Sequence, residues 1–239
     1  MKIMVINPTI STETDAEGLR FLRQHASPGT EISVTPLDRG PASIESELGE
    51  AICLPNFLAK AKESEDKGYD AVVSNCFADP GVKAAREVLG IPVVGAAEAS
   101  MHFAATLGQR FSIVTVLPNI VPVIENLVTE YGLDRKLASV RCVNISVLQL
   151  RNNQSVLMDA LRREMLAAIN EDRAHVLILG CTDMFGVAKD MEKELATEGY
   201  EVPVIDPLLA SLKVAEALVS MKLRQSRLTY MPPPEKTRS

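Results

Sequence analysis

Short apolar runs and longer stretches of helical period alternate along the whole chain, and they predict strands and helices in turn. Lys2 to Ile6 reads as a first strand, and the following helix carries Leu19, Phe21 and Leu22 on its apolar face until Pro28-Gly29 breaks it. Glu31 to Thr35 predicts a second strand, and Leu37 to Ser46 a loop rich in Pro, Gly and Ser. The pattern Leu48, Ile52, Phe57, Ala61 predicts a helix between Glu47 and Lys67, interrupted by Pro55, which is expected to start a turn or a kink, with Gly68 following the end as the C′ residue. Ala71 to Ser74 has the look of a strand buried on both faces. After it, Asp79-Pro80 supplies an N-cap and a first-turn proline for a helix from Gly81 to Leu89. A strand from Ile91 to Val94 and a helix from Glu98 to Leu107 follow.

From Gly108 onward the order repeats. Strands are predicted over Phe111 to Val116, Ser139 to Ile145, His175 to Leu179 and Val202 to Ile205, with helices over Pro122 to Tyr131 and Gln154 to Asn170. A further helix carries Met184, Val187, Ala188, Met191 and Leu195 on one face. The echo is also local: Val72-Val73-Ser74-Asn75-Cys76 matches Leu177-Ile178-Leu179-Gly180-Cys181, and Ile91-Pro92-Val93-Val94-Gly95 matches Val202-Pro203-Val204-Ile205-Asp206. Alternating strands and helices imply parallel sheets, because parallel strands need crossover connections. The expected architecture is therefore α/β, with two pseudo-symmetric doubly wound lobes. Each lobe has a mostly parallel sheet of about four strands flanked by helices, and the active site lies in the cleft between them. Residues 1–108 form the first lobe and 109–206 the second, a helix over 207–223 is available to pack onto the first, and 224–239 is read as a disordered tail.

Composition narrows the partners. The 239 residues carry a formal charge of −6 and only 4% aromatic side chains, so the chain offers neither a basic stripe for phosphates nor stacking platforms for bases. No apolar run approaches the roughly 20 residues of a membrane-spanning helix. The start of the chain lacks the layout of a signal peptide. The expectation is a cytoplasmic protein acting on a small molecule, without nucleic acid or membrane as partner. The four cysteines show no CxxC spacing and the three histidines no metal-site pairing, so no metal is expected.

In open parallel sheets ligands bind beyond the carboxyl ends of the strands, where Asn7, Cys76, Thr115 and Cys181 all fall. A lone cysteine after a strand is ordinarily a small packing residue. Two at matching places in a repeat invite another reading, in which two thiols approach one cleft from opposite sides and pass a proton on and off the same carbon. Each cysteine is expected to precede a helix directly, whose amino end would lower the thiol pKa. Cys53 and Cys142 lack such partners and read as core residues. Glu98 reads as a helix-start charge, and His102 and His175 carry no site.

Taken jointly, Gly40-Pro41-Ala42-Ser43-Ile44-Glu45, Gly68-Tyr69-Asp70-Ala71-Val72-Val73, Cys76-Phe77-Ala78-Asp79-Pro80-Gly81, Gly95-Ala96-Ala97-Glu98-Ala99 and Leu179-Gly180-Cys181-Thr182 resemble the hydantoin racemases of the aspartate/glutamate racemase superfamily. The resemblance runs from residue 3 to about residue 222. It implies a cofactor-independent two-base racemase of 5-substituted hydantoins, allantoin or a related amino acid derivative, with Cys76 and Cys181 as the bases. By position it also implies substrate contacts from Asn7, Pro8, Ser74, Phe77, Thr115 and Thr182, and a homo-oligomer. The chain departs from the usual pattern at Thr9 and Ile10, and again at Val116 and Asn119, where relatives tend to have a second threonine and an arginine nearby. Two other classes stay open: a lyase of the same superfamily, whose decarboxylases keep only one of the two cysteines, and a non-catalytic binding protein built on the same cleft.

Overall fold

The structure, a computed structural model, describes residues 1–234. Eight strands form two parallel sheets. The first contains β1 (Lys2–Ile6), β2 (Glu31–Thr35), β3 (Ala71–Ser74) and β4 (Val93–Gly95) in the order β2-β1-β3-β4. The second contains β5 (Phe111–Thr115), β6 (Leu137–Cys142), β7 (Val176–Leu179) and β8 (Val204–Ile205) in the order β6-β5-β7-β8. The two orders are the same order, as the internal repeat requires. In each sheet the direction of winding reverses between the two central strands, β1 with β3 and β5 with β7, so loops leaving their carboxyl ends diverge and open a crevice.

Every residue of β3, β5 and β7 is buried, which explains why β3 and β7 read as nearly unbroken apolar runs, and the two polar residues of β5, Ser112 and Thr115, spend their hydroxyls on hydrogen bonds within the protein. One face of the first sheet, with Ile3, Val5, Val73 and Val94, packs against Leu22 of α1 (Asp15–His25) and Leu208 and Leu212 of α8 (Pro207–Ser220). The opposite face, with Met4, Ile6, Val72 and Val93, packs against Phe57 and Ala61 of α2 (Glu47–Asp66) and Val82 and Ala85 of α3 (Val82–Val88). That core runs on into the second sheet, around α5 (Val121–Glu130), α6 (Gln154–Asn170) and α7 (Ala188–Thr197). The helices after the two last strands cross over. Helix α4 (Ala96–Leu107) reaches β5, β7 and β8, while α8 returns to β3 and β4. Among the described residues no helix is long and apolar enough to cross a membrane.

Three local expectations change. Pro55 does not break its helix: α2 runs through it, because Pro55 and Ala51, whose carbonyl loses its partner, both face solvent. Asp79 does not cap α3, whose N-cap is Gly81 at φ 74°; its carboxylate goes to α4 instead. The segment after α8, expected to be disordered, makes specific contacts at Gln225 and Arg227. Gln225 pairs both ways with Val93 on the exposed edge of β4, at 3.1 and 3.0 Å, and Arg227 donates to the carbonyls of Arg86, Glu87 and Leu89 at the end of α3. A sheet edge and a helix carboxyl end both present orphan backbone groups, and the tail satisfies them. The expectation of disorder for 235–239 lies outside the described residues.

Candidate active site

A cavity of about 180 Å³ opens where the carboxyl ends of β1, β3, β5 and β7 meet. Drug-sized ligands need roughly 300 Å³ or more, so this hollow suits a single small ring with a modest substituent. Cys76 after β3 and Cys181 after β7 both line it, together with Asn7, Phe77, Thr115 and Thr182. Pro8 and Ser74 do not line it. Pro8 is buried elsewhere, and Ser74, with no exposed surface, donates its hydroxyl to the Pro80 carbonyl at 3.2 Å, which shapes the turn behind Cys76.

The two threonines line the cavity with their hydroxyl hydrogens already committed. Thr115 donates to the Gly180 carbonyl at 2.9 Å and steadies the residue before Cys181. Thr182 donates to the Asn75 carbonyl at 3.2 Å, joining the segment after one cysteine to the residue before the other. Both stand where the expected substrate contacts require, and with their hydrogens holding the cysteine segments they have oxygen lone pairs left to offer a ligand.

Asn7 belongs to a relay whose polarity is set at one end. Asp15 accepts from the Asn7 amide, which then turns its oxygen toward Asn75 and accepts from the Asn75 amide at 2.5 Å. A carboxylate can only accept, so both amides are locked one way round. The Asn75 side-chain oxygen is left buried without a partner, one residue before Cys76.

No α-helix begins at either sulfur, against expectation. The Cys76 turn reaches α3 only at Val82, and Cys181 leads into a single 3-10 turn, Thr182–Met184, with α7 starting at Ala188. Burial therefore dominates and pushes both thiols above their ordinary range. The backbone N–H of Ala78 works in the opposite direction at Cys76, as do those of Asp183 and Met184 at Cys181. The carboxylate of Asp183 raises Cys181 further, and each thiolate would repel the other across the cavity, as seen in the Cys181 contribution at Cys76. Cys53 is buried in the core with its thiol donating to the Glu50 carbonyl, and burial pushes it up to about 12.

Asn75, Asp183 and Arg151 also line the cavity, and sequence reasoning assigned none of them a site role. Arg151 stacks 3.9 Å above the Phe185 ring and pairs with Glu17 at 3.4 Å, bringing a guanidinium to the rim where Val116 and Asn119 offer none. Asp183 accepts from Thr14 at 2.9 Å, a bond between the loop after β1 and the turn after β7. Asn75 and Asp183 flank the cysteines, and that adjacency was a usable signal; Arg151 lies in an irregular stretch with none. Among the described residues no three His, Cys, Asp or Glu side chains cluster closely enough to share a metal ion.

Residues 3–215 match the Asp/Glu/hydantoin racemase family. The chain is 39% identical to a hydantoin racemase from Pseudomonas sp. (strain NS671) over 237 residues, covering 99% of this chain and 93% of that one. Its structure superposes on an allantoin racemase from Klebsiella pneumoniae with a TM-score of 0.93 at 34% identity, covering 100% of this chain and 96% of the other. An allantoin racemase from Pseudomonas fluorescens matches with a TM-score of 0.94 at 32% identity over 100% of both chains.

Proposed function

The chain belongs to the Asp/Glu/hydantoin racemase family and is a racemase, and from that premise we propose that it inverts a carbon next to a carbonyl using two opposed thiols and no cofactor. The observation that carries the reading is that Cys76 and Cys181, equivalent in the internal repeat, line one small cavity. The substrate class is a 5-substituted hydantoin or allantoin, in line with the activities named for its relatives and with the size of the hollow.

One sulfur starts as thiolate and the other as thiol. The thiolate takes the proton from the ring carbon, the C–H electron pair passes into the neighbouring carbonyl as an enolate, and the opposite thiol returns a proton to the other face. The sulfurs end with their protonation states exchanged, so the reverse reaction starts from the product state. The backbone N–H groups of Phe77 and Thr182, the first after each cysteine, would meet the developing enolate oxygen. The raised thiol pKa values cut both ways: fewer molecules hold the thiolate at neutral pH, but each thiolate is a stronger base toward a weakly acidic C–H.

The pH dependence follows from the sign of those shifts. A thiol whose pKa is raised ionises later, so kcat/KM should still climb roughly tenfold per pH unit above pH ~8.5, where an ordinary thiol would begin to level off. The fall comes only when the second thiol also ionises, and mutual repulsion delays that step. A profile already flat at neutral pH would contradict burial as the controlling term.

The activity itself is tested by proton NMR in D2O with the enantiomers of 5-methylhydantoin and of allantoin. Loss of the ring C–H signal together with loss of optical rotation is expected, while binding without exchange would replace the racemase reading with that of a binding protein. The proposal also includes a homo-oligomer in the cytoplasm, to be checked by light scattering and cell fractionation.

A further inference from the structure

Each cysteine turn is tied to a helix amino end by one buried carboxylate, and the two halves supply that carboxylate from different places. In the first half it comes from the turn. Asp79, three residues after Cys76 and buried, accepts from the N–H groups of Ala97 at 2.9 Å and Glu98 at 2.8 Å in the first turn of α4. It also accepts from the Tyr131 hydroxyl at 2.8 Å, at the end of α5, the helix whose Ile124 lines the cavity. Its backbone sits at φ 50°, a left-handed conformation that three accepted hydrogen bonds hold in place.

In the second half the carboxylate comes from the end of the strand. Asp206, buried at the N-cap of α8, accepts from Leu208 at 3.0 Å and Leu209 at 3.1 Å with one oxygen. With the other it accepts from the Gly186 N–H at 2.7 Å, in the turn after Cys181.

The repeat aligns Asp206 with Gly95, the N-cap of α4. Their backbones agree, at φ −93° and ψ 143° for Gly95 and φ −84° and ψ 118° for Asp206, so conformation does not demand glycine at 95. What demands it is the carboxyl group of Asp79, which fills the space a Cβ there would need. One carboxylate fits at each helix end, supplied from the turn in one half and from the strand in the other.

We propose that Asp79 and Asp206 are positioning residues for Cys76 and Cys181 respectively, interchangeable solutions to one problem: locking a cysteine turn onto the helix that closes its sheet. The inference rests on the two-thiol reading. In that reaction the wash-out of a ring proton from one enantiomer needs only the thiol facing it, so a displaced Cys76 and a displaced Cys181 betray themselves on opposite enantiomers.

The test uses the full chain as Asp79→Ala, Asp206→Ala and the exchanged pair Asp79→Ala with Gly95→Asp. Exchange in D2O is followed separately for each enantiomer of 5-methylhydantoin and of allantoin, with kcat, KM and thermal unfolding. Asp79→Ala should slow one enantiomer's exchange roughly 10²-fold and Asp206→Ala the other's, as expected for a reacting group misplaced by about 1 Å, with KM little changed. The exchanged pair should recover most of the loss. Equal slowing of both enantiomers, or no recovery in the exchanged pair, would overturn the inference. If a single alanine variant fails to fold, Asp79→Asn, Asp206→Asn and the exchanged pair carry the same comparison. Wild-type racemisation by Cys76→Ser or Cys181→Ser would instead remove the two-thiol reading beneath it.

Discussion

Cys181→Ser will stop net racemisation while one enantiomer still loses its ring proton to solvent through Cys76, and Cys76→Ser will show the mirror pattern. On the proposed two-thiol path the labour is divided across the cavity, each thiol serving one face of the reacting carbon. A serine hydroxyl is far less acidic than a thiol, so the replaced group neither accepts nor returns the proton at a useful rate. The loss of racemisation in both directions should be roughly 10²–10⁴-fold, the span that positioned proton transfer ordinarily contributes. Both thiols line the same hollow and burial raises the pKa of each, so the two losses should be of similar size. Polarimetry reads the racemisation and NMR in D2O reads the exchange. If either variant kept racemising, a single base would have to serve both faces, and the symmetric reading would be abandoned.

Gly180→Ala should lose both stability and rate. A Cβ at 180 would lie 2.8 Å from the Ile113 Cγ2 and Thr115 Cβ atoms and 2.9 Å from the Thr115 Cα, so it meets strand β5 itself and no flexible side-chain tip can give way. Something must separate, and what separates is the end of β7 from the end of β5. Overpacking of this kind costs about 1–3 kcal/mol. For a chain of this size each kcal/mol lowers the midpoint of thermal unfolding by about 2–4 °C. The same displacement breaks the Thr115 bond to the Gly180 carbonyl and carries Cys181 with it, so kcat should fall roughly 10²-fold. Calorimetry and initial rates check the two halves of this expectation. Unchanged kcat would mean that the Cys181 turn is held from elsewhere, and the Gly186 bond to Asp206 would be the place to look.

Sequence and structure divide the account of this protein along a physical line. The apolar runs Ala71 to Ser74 and Val176 to Leu179 announced buried parallel strands, because a strand covered on both faces has no polar position to alternate with. The echo between the halves announced two sheets in the same order and singled out Cys76 and Cys181, since equivalent places in a repeat fold to equivalent places in space. Apolar patterning records which way a side chain faces within its own element, and it was enough for these.

It was silent about bonds whose partners are backbone atoms far along the chain. Nothing local distinguishes the Thr115 and Thr182 hydroxyls, spent on the carbonyls of Gly180 and Asn75, from hydroxyls free to bind a ligand. Asp79-Pro80 has the local form of a cap for the next helix, and only the approach of α4 turns its carboxylate elsewhere. Gln225 and Arg227 look like part of a polar tail until the edge of β4 and the end of α3 arrive beside them. The acidity of the two thiols belongs to the same class. Their sequence neighbours promised helix ends and a lowered pKa, but the depth at which folding buries them decides the direction, because desolvation depends on everything packed around a sulfur and not on the residues beside it in the chain.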